Sequence, residues 1–151
     1  MSSLLKTVGI DFAPRHDQPT WPSVAIATLA SLVGSLVVDA ILVAIGTRIF
    51  PSTRGYAHFR FSDYGKLTTI GVVVACAAWP VVTRISSAPR RLFLWMALAV
   101  TAVLLLPDLY ILSTGQPPRA VAVLMTMHLA IGLVTYNALV RIAPTRTRHP
   151  G

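Results

Sequence analysis

Long apolar stretches alternate with short polar connections along the chain, and four stretches reach the length a bilayer demands: residues 23–47, 67–83, 92–113 and 120–140. A hydrocarbon core of about 30 Å takes roughly 20 helical residues to cross. Peptide groups immersed in hydrocarbon must hydrogen-bond within their own segment, so each stretch is predicted to be a helix traversing lipid. Together they predict an all-α fold, an integral-membrane four-helix antiparallel bundle in up-down order, its helices tilted about 20° from the bilayer normal.

Each boundary carries a stop. Trp21-Pro22-Ser23 opens the first span with an interfacial aromatic and a proline where a missing N–H is harmless. Arg48 and Pro51 close it, Arg84 ends the second span, and Ser86 to Arg91 forces a reversal before the third. Thr114 to Arg119 does the same before the fourth. The division expected is an N-terminal segment, 1–22, a four-span domain, 23–140, and a basic tail, 141–151. The first span reads as permanent and not as a cleaved leader, because its apolar run far exceeds the usual 7 to 15 or so residues. Ahead of it, Leu5, Val8 and Phe12 share a helical face, which allows a short surface helix broken at Pro14 or equally no fixed structure.

Composition agrees. Hydrophobic residues make up 54% of the chain, charged residues 12%, and mean hydropathy is +0.67, whereas soluble domains carry about 25% charged residues. The net charge of +8 invites a nucleic-acid reading. Yet nearly every Arg and Lys sits at the end of an apolar run or in a connection, where it anchors to anionic headgroups. The partner expected is therefore the lipid bilayer, with no nucleic acid. All five acids are Asp and Arg far outnumbers Lys, a bias expected of a high-GC bacterial gene.

With four crossings the termini share a side with the second-to-third connection. Lys6, Arg15, Arg84, Arg90, Arg91, Arg141, Arg146 and Arg148 lie there, against Arg48, Arg54, Arg60, Lys66 and Arg119 opposite. The positive-inside rule then puts both termini in the cytoplasm of a bacterial cell membrane.

Three ionisable residues fall at membrane depth, where each costs about 2.5 to 3.5 kcal/mol or more: Asp39, Asp108 and His128. With about 1.5 Å of rise per residue, Asp39 lies roughly 6 Å past the middle of its span, Asp108 roughly 8 Å past, and His128 roughly 3 Å before. Alternate spans run in opposite directions, so all three occupy one leaflet half. Ala27, Ser31, Ser35 and Asp39 recur every four residues with Gly34 and Gly46 near the same stripe, which aims Asp39 at protein and not lipid. His128 shares a face with Gly132, Thr135 and Tyr136. Asp108 follows Pro107, where a kink is expected, and its nearness to a span end lets it reach the headgroups. The cluster serves either as interhelical glue or as a site for protons or a polar substrate.

The first connection interleaves aromatics and bases, among them Tyr56, His58, Phe59, Arg60, Phe61 and Tyr64. Beside a membrane such a mixture is expected to float at the interface, with contact to a partner protein as the alternative. In the second span Trp79-Pro80 marks an expected kink, and Gly71, Ala75 and Ala78 form a close-packing face. The lone Cys76 lies within an apolar run, so no intrachain disulfide or Cys-x-x-Cys site can form. No nucleotide, metal or hydrolase motif is present, so neither a cofactor nor a metal nor catalysis is expected.

At the third and fourth spans, Leu106-Pro107, the Pro/Arg-bearing turn and Met127-His128-Leu129 resemble an uncharacterised family of small four-helix membrane proteins common in actinobacteria. The resemblance implies the span count and length but no activity. Two functions remain in view: a non-enzymatic accessory or interaction module of the cell envelope, working with a membrane protein partner or as a homo-oligomer, and a small oligomeric proton-coupled transporter using Asp39 and His128.

Overall fold

The computed structural model describes Ile10, Phe12 and residues 16–147. Four helices build an all-α bundle: α1 Trp21–Ile49, α2 Phe61–Ile85, α3 Pro89–Ser113 and α4 Pro118–Ile142. Each is long and apolar enough to cross a membrane. Each also outruns the apolar stretch within it. Asp63 and Lys66 lie in the first turns of α2, Arg90 and Arg91 in the first turn of α3, and Arg141 in the last turn of α4. A helix stays hydrogen-bonded into the interface, and long basic side chains lay their stems on it while their heads reach water. Phe61 and Tyr64, expected in the connection, are therefore helical.

Local chemistry sets the ends. Thr20 caps α1, its hydroxyl accepting from the Ser23 N–H, and prolines occupy the first turns of α1, α3 and α4. At the end of α3 the Gly115 N–H donates to the Leu112 carbonyl and the Gln116 N–H to that of Ile111, both at 3.2 Å. This Schellman pattern needs left-handed backbone at Gly115, whose φ is +89°. Pro80 and Pro107 sit inside α2 and α3, which remain helical through them.

Helices α1 and α4 share the most extensive interface, and α4 touches all three others. Glycine sets the α1–α4 spacing. A Cβ on Gly34 would come within 3.0 Å of Val134, and one on Gly46 within 2.7 Å of Val123. A Cβ on Gly132 would meet the Thr101 hydroxyl at 2.9 Å, drawing α3 against α4 in the same way. The pairings 34 with 134 and 46 with 123 run in opposite directions, as an antiparallel pair requires.

Two apolar layers fill the bundle. At the end where α2 leads into α3, Val72, Cys76, Trp79, Leu92, Phe93 and Leu139 pack together, with the Trp79 and Phe93 rings edge-on at 5.1 Å. At the opposite end, Phe59, Tyr64, Ala120, Val123, Leu124 and Met127 form the second layer.

A tie joins the segments flanking the bundle, and nothing in the sequence pattern announces it. His16–Asp17 (β1) pairs antiparallel with Arg146–Thr147 (β2). His16 Nε2 lies 3.0 Å from the Ser86 carbonyl oxygen, Gln18 exchanges hydrogen bonds with Thr83, and Trp79 Nε1 donates to the Ala143 carbonyl at 3.0 Å. The segments flanking the bundle thus lie beside the α2–α3 connection. Of the surface helix expected around Leu5, Val8 and Phe12, only Phe12 lies among the described residues; its N–H donates to the Ile85 carbonyl and its φ is +52°.

Gly46→Ala and Gly71→Ala offer the same gain in helix propensity, but a methyl at Gly71 meets nothing within 4 Å. Gly46→Ala is expected to be the less stable of the two by about 1–3 kcal/mol, the usual cost of overpacking. Reversible denaturation in detergent measures the gap, and equal stabilities would contradict a glycine-set α1–α4 distance.

Candidate functional site

The stripe on α1 is the starting point. Ala27, Ser31, Ser35 and Asp39 are all fully buried, since a four-residue repeat keeps one helical face turned to its neighbours. Small side chains let the neighbouring helices approach, and the same approach removes Asp39 from lipid. Its Oδ2 accepts a 2.7 Å hydrogen bond from the Thr68 hydroxyl of α2. Its Oδ1 is buried and has no hydrogen-bond partner among the described residues. Thr68 has a legible position, because Thr68, Val72, Cys76 and Trp79 form the buried face of α2. Its role as donor has no sequence signature, since a threonine within a membrane helix usually bonds the carbonyl four residues back, as Thr28 and Thr69 do.

A second polar pair joins α3 to α4. His128 Nδ1 lies 3.0 Å from Asp108 Oδ2 and 3.1 Å from the Leu124 carbonyl oxygen. Only the carbonyl is aligned for a hydrogen bond; the carboxylate oxygen makes a close electrostatic contact without one. Asp108 is only 5% exposed, which corrects the expectation that it reaches the headgroups. The reason is packing: Thr101, two turns before it, is held against Gly132, and this turns the Asp108 face of α3 onto α4.

The three membrane ionisables thus make two cross-helix contacts, Asp39 with Thr68 and Asp108 with His128. His128 also lies within electrostatic range of Asp39. Ser35 and Thr135 add two more buried hydroxyls without hydrogen-bond partners among the described residues. Gly34, beside Ser35, and Gly132, one turn before Tyr136, sit where α4 meets α1 and α3.

The aromatic-basic connection closes this end of the bundle. Two 3-10 turns, Pro51–Thr53 and Ala57–Phe59, fold it back over the helices. Its six singled-out residues divide, correcting the expectation that all float at the interface. Phe59 and Tyr64 are buried in the second apolar layer and Tyr56 is half-buried against it, while His58, Arg60 and Phe61 are exposed. The ring of Tyr56 meets those of His58 and Phe59 edge-on, each at 5.3 Å. Burial first, and then the nearby Asp108 carboxylate, push the Tyr56 phenol above its usual pKa. On the exposed rim, His58 Nδ1 lies 2.8 Å from Asp63 Oδ2, and Arg119 stacks over the Phe50 ring at 5.5 Å.

Taken together, a polar layer of two cross-helix pairs lies beneath a partly buried aromatic cap, and the match to known sequences covers both. The model of a family of unknown function, DUF6069, matches residues 6–145. The chain belongs to that family. The kinship read at the third and fourth spans thus extends over nearly the whole DUF6069 chain. No curated protein and no solved structure matches it.

Thr68→Val in this DUF6069 chain leaves Asp39 buried without its hydroxyl donor and is expected to cost about 0.6–2 kcal/mol of stability. Adding Asp39→Leu should recover most of that loss, because removing both partners removes the stranded acceptor. A double-mutant cycle from detergent denaturation gives the coupling; additive losses would mean that the bond does not join α1 to α2.

Proposed function

We propose that the protein is a non-enzymatic accessory module of a bacterial cell membrane, with both termini in the cytoplasm, that packs against a larger envelope complex or against further copies of itself. The observation carrying this reading is that both carboxylates and the imidazole at membrane depth lie against other helices of the same chain. Asp39 joins α1 to α2, and His128 with Asp108 joins α4 to α3. Polar groups used in this way fix one packing of the bundle, the best-attested use of buried polar residues. A rigid bundle leaves its outer features for contact with a partner: the exposed His58, Arg60 and Phe61 of the cap, and the open helix surface at Gly71.

A specific observation favours a second reading, a small oligomeric proton-coupled transporter. Oδ1 of Asp39 and Oδ2 of Asp108 are buried without hydrogen-bond partners among the described residues. In that reading Asp39 and His128, two ionisable groups at membrane depth, are the residues that carry the proton.

One substitution separates the two. Under the module reading, Asp39→Asn leaves the set of proteins co-purified from detergent extracts unchanged, and proteoliposomes show no pH-dependent flux. Flux that is present in the unaltered protein and abolished by Asp39→Asn at normal expression would replace the module by the carrier.

A further inference from the structure

Away from the polar layer, an outward-facing trough of about 320 Å³ runs between α1 and α2 at the end where Gln18 meets Thr83. Its walls are mostly apolar, Val24 on α1 and Val73, Cys76, Ala77 and Val81 on α2, with Thr28 of α1 the polar exception. Pro80 lines it and also a smaller hollow at its mouth, shared with Arg84 and Gln18. The Pro80 ring replaces the backbone N–H that would bond the Cys76 carbonyl.

We propose that this trough seats an acyl chain of an anionic phospholipid whose phosphate is bound by Arg84. Three observations converge on that occupant. From Arg84 down to Val73 the helix descends about 16 Å, close to one leaflet of a hydrocarbon core about 30 Å thick. Along that descent the wall is apolar but for Thr28, whose hydroxyl is bonded to the Val24 carbonyl, and the guanidinium of Arg84 and the amide of Gln18 stand at the mouth. Arg84 makes no ion pair with a described residue and is exposed beside Trp21, itself 69% exposed, at the start of α1. Indole and guanidinium side by side at a helix end are the pair that sits at headgroup depth, and a planar guanidinium engages phosphate through two parallel N–H donors.

A basic protein attracts anionic lipid everywhere, so the test must separate a seat from a diffuse field. The full chain in detergent is titrated with phosphatidylglycerol or phosphatidylcholine, and native mass spectrometry counts the lipids retained. The unaltered protein is expected to retain phosphatidylglycerol in preference. Arg84→Gln should lower that preference about fivefold, the effect of losing one basic contact to an anionic lipid, while Arg141→Gln leaves it unchanged. Ala77→Phe fills the trough from an outward-facing position and should reduce retention of both lipids with helical circular dichroism intact. Equal losses for Arg84→Gln and Arg141→Gln would show a diffuse field and overturn the proposal. So would undiminished retention in Ala77→Phe, or a dimer mass that this variant abolishes, which would assign the trough to a second copy of the chain.

Discussion

Hydrocarbon offers a peptide group no hydrogen-bonding partner, and most of this structure follows from that lack. Four apolar stretches must close their own backbone bonds, so they become helices, and the helices continue past their apolar limits until water or headgroups can satisfy their last carbonyls and amides. The ends are then settled locally, by Thr20 at the start of α1 and by the left-handed Gly115 after α3. The same rule applies to side chains. A carboxylate facing lipid finds nothing, so Asp39 and Asp108 must face protein, and the surrounding sequence has to let protein come close.

Close approach is the work of glycine and small residues. In lipid, apolar side chains gain little by leaving their surroundings for one another, so helix association rests on intimate packing and on polar contacts between helices. Gly34 and Gly46 let α4 reach α1, and Gly132 admits Thr101 of α3. Once those seams close, Asp39 meets Thr68 and Asp108 meets His128. Packing and polar pairing therefore depend on each other: without the glycines the carboxylates would stand apart from their partners, and without the pairs the seams would hold buried polar groups at a cost.

The two ends of the bundle are finished differently. At one, an aromatic cap sends Phe59 and Tyr64 into the apolar layer and leaves His58 and Arg60 outside. At the other, the short β1–β2 ladder and the Gln18–Thr83 exchange bind the flanking segments to the α2–α3 connection. The trough lies at this second end, where Pro80, Arg84 and Gln18 stand together.

The number of helices, their approximate extents and the burial of the Ala27–Ser31–Ser35–Asp39 face follow from the sequence alone. These are properties of one segment in one solvent: length against bilayer thickness, and a repeat close to the helical period. Which side chain answers Asp39, the burial of Asp108, the division of the aromatic connection and the tie between His16–Asp17 and Arg146–Thr147 were decided only by the tertiary structure. Each depends on the rotation and separation of two helices, or on segments far apart in the chain. Residue spacing within one helix carries no information about the hydroxyl that a second helix will present to it.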